Sequence, residues 1–180
     1  LKTILPRAKR VGAIYSSAES NSQALMTRVR PACKKLGFPL VERPVTSSAE
    51  VTTVATSLAG EVDVIYVTTD NTVLHAMSSL LEIAKENKLP VMTCTQEDVK
   101  KGALFALGVR YDELSRIAAR IAERILNGEN PATIPITFAD KPELYWNQGT
   151  AEQLGIVLSG DLKARVRNWF RNGEEIPKPQ

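Results

Sequence analysis

The chain has 180 residues, of which 43% are hydrophobic and 24% charged, a balance typical of a globular domain. This composition excludes wholesale disorder, a collagen-like repeat and a disulfide-dense miniprotein. The 23 basic and 20 acidic residues leave a net charge of only +3 and are scattered along the chain, so we expect no nucleic-acid partner. No apolar run approaches the roughly 20 residues of a membrane-spanning helix, and we find no export signal in the sequence.

Short β-rich runs in the first part of the chain predict four strands. The third run is the clearest, because it is nearly continuous in apolar residues, as a strand covered on both faces should be. Pro39 and Pro44 place the second strand near a sheet edge, since proline cannot donate to a strand ladder. The predicted strands are 10–15, 38–45, 62–68 and 91–94.

Amphipathic stretches between these strands predict three helices, each preceded by a residue suited to capping. Pro31 lies inside the first helix and is expected to kink or restart it. Ser47 or Ser48 caps the second helix, and Asp70 caps a third that is expected to be long. The predicted helices are 20–36, 48–60 and 70–84.

The pattern continues differently after Gly102. A strand at 103–109 and a strong helix at 111–126 are predicted next, and the helix has an apolar side formed by Leu114, Ile117, Ala118, Ile121 and Ile125. Short strands are predicted at 134–138 and 144–146, and short helical pieces at 153–158 and 162–170. The polar residues 171–180 are expected to form a frayed tail.

The order βαβαβαβ, with connections too long for hairpins, predicts parallel strands joined by right-handed crossovers. The predicted fold class is therefore α/β, a three-layer sandwich with a mostly parallel, doubly wound sheet. Segment 5–102 is predicted to form its main lobe. Segment 133–170 is expected to supply a returning strand and the C-terminal helices.

Polar side chains follow three of the predicted strands. The loops at 16–22, 69–72 and 95–98 carry hydroxyls, amides and carboxylates, and each leads into a helix N-terminus that suits an anionic oxygen. The carboxyl ends of parallel strands are where ligands bind in such sheets, so these loops predict a site for a small polar or zwitterionic ligand. Asp70 could meet an ammonium group or orient its loop. The alternative is that these residues serve only as helix caps.

Signatures of catalysis are missing from the sequence. We find no phosphate-binding loop, no G-x-G-x-x-G after the first strand and no nucleophile elbow. His75 is the single histidine, and Cys33 and Cys94 fit no zinc spacing, so no catalytic residue, metal site or cofactor is predicted. The two cysteines are interpreted as buried and free, with one disulfide as the alternative. Trp146 and Trp169 are interpreted as packing residues, with an aromatic platform for a ligand as the alternative.

The segments KRVGAIYSSAESNS, VDVIYVTTDNTV, LPVMTCTQEDVKKGALFALGVRYDELSR and ILNGENPATIPI occur in this order along the chain. Together they resemble ABC-transporter substrate-binding proteins with the type I periplasmic-binding fold, some of which take up tryptophan or tyrosine. The resemblance implies a non-enzymatic receptor that captures a small amino-acid-like ligand by hinge closure and delivers it to an ABC permease. It implies a periplasmic or lipid-anchored extracellular location for the full-length protein. The alternatives are an effector-binding domain of a transcription regulator and an α/β domain without a ligand of its own.

Carried over residue by residue, the resemblance predicts ligand contacts in all three loops. Replacing Asp70 or Asn71 by alanine is expected to abolish binding in the two-lobed protein and to leave its melting temperature nearly unchanged. The loop MTCTQED departs from the small acidic pattern of the family. The predicted ligand-binding residues are Ser16, Ser17, Asn21, Ser22, Thr69, Asp70, Asn71, Thr95 and Asp98.

The resemblance also implies that this chain corresponds to the second of two lobes. The segment 103–128 is then expected to pack on the missing first lobe, and the chain to return to the second lobe near residue 144. Without that cover, the apolar side of helix 111–126 is exposed and is expected to favour a homodimer.

Overall fold

A computed structural model describes residues 1–139 and 142–179. The strands are β1 Val11–Ser16, β2 Leu40–Val45, β3 Val64–Val67, β4 Val91–Thr93, β5 Phe105–Gly108, β6 Glu143–Asn147, β7 Val166–Arg171 and β8 Glu174–Ile176. The helices are α1 Ser20–Leu36, α2 Val51–Leu58, α3 Asn71–His75, α4 Met77–Glu86, α5 Gln96–Lys101, α6 Tyr111–Leu126, α7 Gln148–Leu154 and α8 Gly160–Arg165.

All eight strands form one sheet, in the order β2-β1-β3-β4-β5-β6-β7-β8. The pairs from β2 through β5 are parallel, β6 runs antiparallel to β5, β7 runs parallel to β6, and β8 closes the sheet antiparallel to β7. This confirms the predicted α/β class with a mostly parallel, doubly wound sheet, and β2 lies at the edge as predicted. The strand order reverses between β1 and β3, which makes their carboxyl ends a topological switch point.

Adjacent residues of β1 show how the sheet is covered on both faces. Ile14 belongs to a buried cluster with Leu58 of α2 and Leu80 of α4. Its neighbour Ala13 points to the other face and packs with Met26 of α1. Side chains of a strand alternate between the two faces of a sheet, so helices cover β1 on both sides.

Two predicted helices differ from the structure. Helix α1 runs unbroken through Pro31, which lies on its exposed side, where water can reach the carbonyl that proline leaves without a partner. The single long helix predicted after Asp70 is instead two helices. They are separated at Ala76, whose backbone angles (φ −103°, ψ 13°) are not helical. The N–H of Ala76 donates to the carbonyl of Val73, three residues earlier instead of the four of an α-helix.

The C-terminal predictions are partly wrong. Residues 134–138 form no strand, and Ile136 is 85% exposed. The helix predicted at 153–158 begins earlier, as α7, because Asn147 caps it by accepting a hydrogen bond from the Thr150 N–H. The helix predicted at 162–170 ends at Arg165, and the chain continues as strand β7, with Trp169 and Phe170 buried.

The tail predicted to fray forms strand β8 instead. Arg171 of β7 pairs with Glu174 of β8, so only Asn172 and Gly173 lie in the turn. Both have positive φ, as the two central residues of a type I′ hairpin turn require. Parts of two predicted segments, residues 140–141 of 133–170 and residue 180 of the tail, lie outside the described residues.

The boundary predicted at residue 102 does not divide the sheet. Strand β5 is hydrogen-bonded between β4 and β6 and is largely buried, so the strand of the segment 103–128 belongs to this lobe. Helix α6 differs, because none of its residues is buried. Packing of that helix against another lobe stays a prediction. None of the helices among the described residues is long and apolar enough to cross a membrane.

Candidate functional site

Asp70 lies at the switch point and ties the ends of β1 and β3 together. It is fully buried, one residue before α3. Its Oδ2 accepts hydrogen bonds from the backbone N–H of Ser16 and from the Ser22 hydroxyl, the latter at 2.6 Å. Its Oδ1 accepts the N–H of Val73 at 2.9 Å. Asp70 is therefore the N-cap of α3 and also joins that helix to β1 and α1.

Glu19 makes the second connection between the same two loops. Its Oε1 accepts hydrogen bonds from the Thr72 N–H at 2.8 Å and the Thr72 hydroxyl at 2.7 Å. Its Oε2 accepts from the N–H and the side-chain amide of Asn71 at 3.1 and 3.0 Å. These donors favour the charged carboxylate and lower the pKa of Glu19 to about 2, the hydrogen bonds from Thr72 being the main cause.

The first turn of α3 is therefore already occupied by two carboxylates, whereas the first turn of α1 is not capped in this way. The N–H groups of Asn71, Thr72 and Val73 all donate to Glu19 or Asp70. Glu19 precedes α1, but its carboxylate does not cap that helix. Of the two helix N-termini at the switch point, α1 is the better suited to receive an anionic group.

The remaining predicted residues of these two loops lie on one surface. The side-chain amide of Asn21 donates to the Thr69 carbonyl at 2.8 Å, and the Ser17 hydroxyl donates to the Val45 carbonyl at 3.2 Å. Ser17, Asn21, Thr69 and Asn71 are exposed, whereas Ser16, Ser22 and Asp70 are buried beneath them. We call the four exposed residues the rim and the three buried residues the floor.

Thr95 and Asp98 form a separate cap after β4. The Thr95 hydroxyl accepts the Asp98 N–H at 3.2 Å and donates to Asp98 Oδ2 at 2.6 Å. Burial raises the pKa of Asp98, while the hydrogen bond from Thr95 opposes that rise. The pair is a reciprocal cap of α5, and none of its hydrogen bonds reaches the rim.

The other candidate side chains have structural surroundings. His75 is exposed on α3, and Trp146 and Trp169 are buried in the core, in agreement with the packing interpretation. Cys33 and Cys94 are free, and both are half-buried. Within residues 1–139 and 142–179, no group of three His, Cys, Asp or Glu side chains could hold a metal ion.

A polar rim over a buried floor, at the switch point of a doubly wound sheet, is the arrangement of a ligand-binding α/β lobe. The family model of the ABC transporter substrate binding proteins matches residues 1–168. The chain therefore belongs to this family, which is one of solute-binding proteins and not of enzymes. The membership favours the predicted receptor over the regulator alternative.

Individual relatives agree with the family assignment. A tyrosine-binding protein of Clostridioides difficile (strain R20291) is 35% identical over 162 residues, which cover 89% of this chain and 47% of that protein. A conserved domain protein from Vibrio cholerae superposes with a TM-score of 0.87 at 33% identity, over 93% of this chain and 57% of that one. An ABC domain from Streptococcus pneumonia, solved in complex with L-Trp, has a TM-score of 0.87 over 94% of this chain and 57% of that one, and at 24% identity it shows the fold. The chain thus spans about half the length of the curated relative that it matches.

Proposed function

We propose that this chain is the C-terminal lobe of the solute-binding component of an ABC importer, and that it holds a small amino-acid ligand between its rim and the first lobe. The observation that carries the proposal is the rim itself. Two loops that are about fifty residues apart in sequence are joined by the carboxylates of Asp70 and Glu19 into one exposed polar surface. Capture is non-covalent, and closure of two lobes supplies the burial that one lobe lacks.

The rim supplies both kinds of group that an amino acid needs. The first turn of α1 offers backbone N–H groups to a carboxylate. The carbonyl and side-chain oxygens of Thr69, Asn21 and Asn71 can accept hydrogen bonds from an ammonium group. An aromatic ligand, tyrosine or tryptophan, is supported by the names of the relatives that bind them. Trp146 and Trp169 are buried in this lobe and so do not offer a stacking surface to an aromatic ligand.

Helix α6 supplies the surface on which the first lobe would pack. The helix is strongly amphipathic, yet none of its residues is buried. Ile125 and Leu126 are exposed, as are Ile136 and Phe138 in the segment that follows. Exposed apolar side chains on an amphipathic helix and on the segment after it are a feature of interaction sites. The proposal places the first lobe over this surface, makes an ABC permease the recipient of the ligand, and puts the assembled receptor on the outer side of the membrane.

The test is calorimetry of tyrosine and tryptophan with the two-lobed receptor, comparing Asn21→Ala with Asn87→Ala. Both asparagines are exposed and each donates one side-chain hydrogen bond of 2.8 Å to a backbone carbonyl, but Asn87 lies at the end of α4, away from the rim. We expect Asn21→Ala to weaken binding about tenfold and Asn87→Ala to leave it unchanged. Equal affinities for the two variants would contradict the rim assignment. Absence of binding for both amino acids would contradict the ligand class.

A further inference from the structure

A cavity of about 500 Å³ lies at the edge of the sheet opposite to the rim. Its walls come from the C-terminal ends of α4 and α5, the start of α7 and the turn between β7 and β8. Its lysine-bearing segments precede β4 and β5, whereas the rim follows β1 and β3. The cavity is therefore a second concave site, separate from the candidate binding loops, and its volume is in the range of small-molecule sites.

Four lysines line this cavity with one glutamate, Glu82. Lys100 is engaged, since its Nζ lies 3.0 Å from Glu97 and 5.9 Å from the centre of the Phe170 ring. The other three are Lys85, Lys88 and Lys101. Among the described residues, the ion pairs within 4.0 Å include none of these three. Against the single carboxylate of Glu82, these three lysines leave the cavity with a surplus of positive charge.

The backbone of Lys88 gives an independent reason to look for a ligand here. Helices α1 and α7 end at left-handed glycines, Gly37 and Gly155. The corresponding position after α4 is Lys88, with φ of +51°. A residue with a Cβ is strained in this conformation and glycine is not, so folding alone would favour glycine. Lys85 and Lys101 complement the negative ends of their helices, but that role does not account for a lysine at the strained position.

We propose that this cavity binds a phosphate-bearing anion, held by the ammonium groups of Lys85, Lys88 and Lys101. Lysine is a compact charge on a flexible stem, and three of them can converge on the several oxygens of a diphosphate. The anion could be free in solution or be the headgroup of a phospholipid, since both offer the same oxygens. The proposal does not depend on the function proposed for the rim.

The experiment measures binding of pyrophosphate to the chain by calorimetry at low salt, comparing two double variants. Lys85→Gln with Lys88→Gln removes two charges from the cavity. Lys34→Gln with Lys35→Gln removes two charges from the last turn of α1, outside the cavity. We expect the first pair to weaken binding about tenfold and the second to leave it nearly unchanged. Equal losses in the two pairs, or no saturable binding to the unmodified chain, would overturn the proposal.

Two further experiments distinguish a lipid headgroup from a free anion, and a loss of binding from a loss of folding. Flotation with phosphatidylcholine vesicles, prepared with and without phosphatidate, tests for a lipid headgroup. The site is assigned to a lipid headgroup if the chain binds only the vesicles that contain phosphatidate and if the double variant Lys85→Gln with Lys88→Gln no longer binds them.

Lys88→Gly removes the charge and relieves the strained backbone at once. We expect it to weaken anion binding while the melting temperature stays the same or rises. Unchanged anion binding in this variant would overturn the role assigned to Lys88.

Discussion

At the scale of single residues, the structure changes the effect on stability that we expect from replacing Asp70. The sequence predicts a ligand contact whose removal spares stability, whereas the buried carboxylate accepts three hydrogen bonds. We expect Asp70→Ala to lower the free energy of unfolding by about 3 kcal/mol, because the Ser16 N–H, the Ser22 hydroxyl and the Val73 N–H lose their acceptor. Denaturant unfolding measures this loss.

The control for Asp70 is Asp63→Ala. Asp63 Oδ2 also accepts two backbone hydrogen bonds, from Lys9 at 2.7 Å and Arg10 at 2.8 Å, but it is exposed, so water can replace it. We expect a loss of about 1 kcal/mol there. An Asp70→Ala variant as stable as the control would contradict the structural role of Asp70. Its ligand role is a separate prediction, tested by calorimetry on the same variant.

Glu19 predicts a pH dependence. Its pKa is lowered from 4.5 to about 2, so the folded state favours the carboxylate more than the unfolded chain does. The stability that Glu19 contributes is complete above 4.5 and is lost as pH falls towards 2. We expect Glu19→Gln to cost about 1 kcal/mol at neutral pH, as loss of a helix cap does, and this cost to disappear as the pH falls through the lowered pKa. Unfolding curves of both proteins across this range measure the difference.

Glu86→Gln is the control for Glu19→Gln. Glu86 is exposed on α4, and its substitution removes the same charge as that of Glu19. We expect this variant to stay within about 0.5 kcal/mol of the unmodified chain at every pH. A pH-independent cost of Glu19→Gln would show that its carboxylate is not the group that caps α3.

The residues of the candidate site were only partly predictable. The three loops follow from one rule, that parallel strands end at one edge of the sheet, and the rim lies where that rule places it. Glu19 could not be found in the same way, because its partners Asn71 and Thr72 are more than fifty residues away and local spacing carries no trace of them. The capping role of Asp70 was visible in its position before α3, but its burial depends on α1 closing over it.

At the scale of elements, prediction succeeded where a strand is buried on both faces. Strand β3 is a continuous apolar run, and no helical period competes with it. Strand β7 was mistaken for a helix because VRNWFR is short and mixes apolar with polar residues, which fits either period. The signal that identifies it is the Asn172–Gly173 pair, which favours a two-residue hairpin and so requires a strand on each side.

The bounds of helix α6 were predicted correctly, but its surroundings were not predictable from this sequence, because they depend on what lies outside the lobe. Helix formation follows from local composition, from acidic residues in the first turn and Arg124 in the last, and from the pair of Asp112 with Arg116 one turn later. Burial of its apolar side requires a partner surface. The amphipathic pattern of a helix shows which of its sides is covered, but it does not identify the surface that covers it.

At the scale of the whole molecule, the exposed apolar side of α6 predicts how the isolated chain behaves. Leu114, Ile117 and Ile121 share one side of the helix and are only partly covered. We expect the 180-residue chain to self-associate through this side and the two-lobed receptor to be monomeric. Sedimentation velocity over a concentration series distinguishes the two states.

A pair of double variants on α6 decides whether its apolar side is responsible. Ile117→Lys with Ile121→Lys places charges on that side, and Ser115→Lys with Ala119→Lys adds the same charges at the same spacing on the opposite, exposed side. We expect only the first pair to make the isolated chain monomeric. In the two-lobed receptor, where the first lobe is proposed to cover Ile117 and Ile121, the same pair should lower the melting temperature while the exposed pair does not. If the first pair leaves the two-lobed receptor as stable as the second, then another surface of this lobe carries the contact between the two halves.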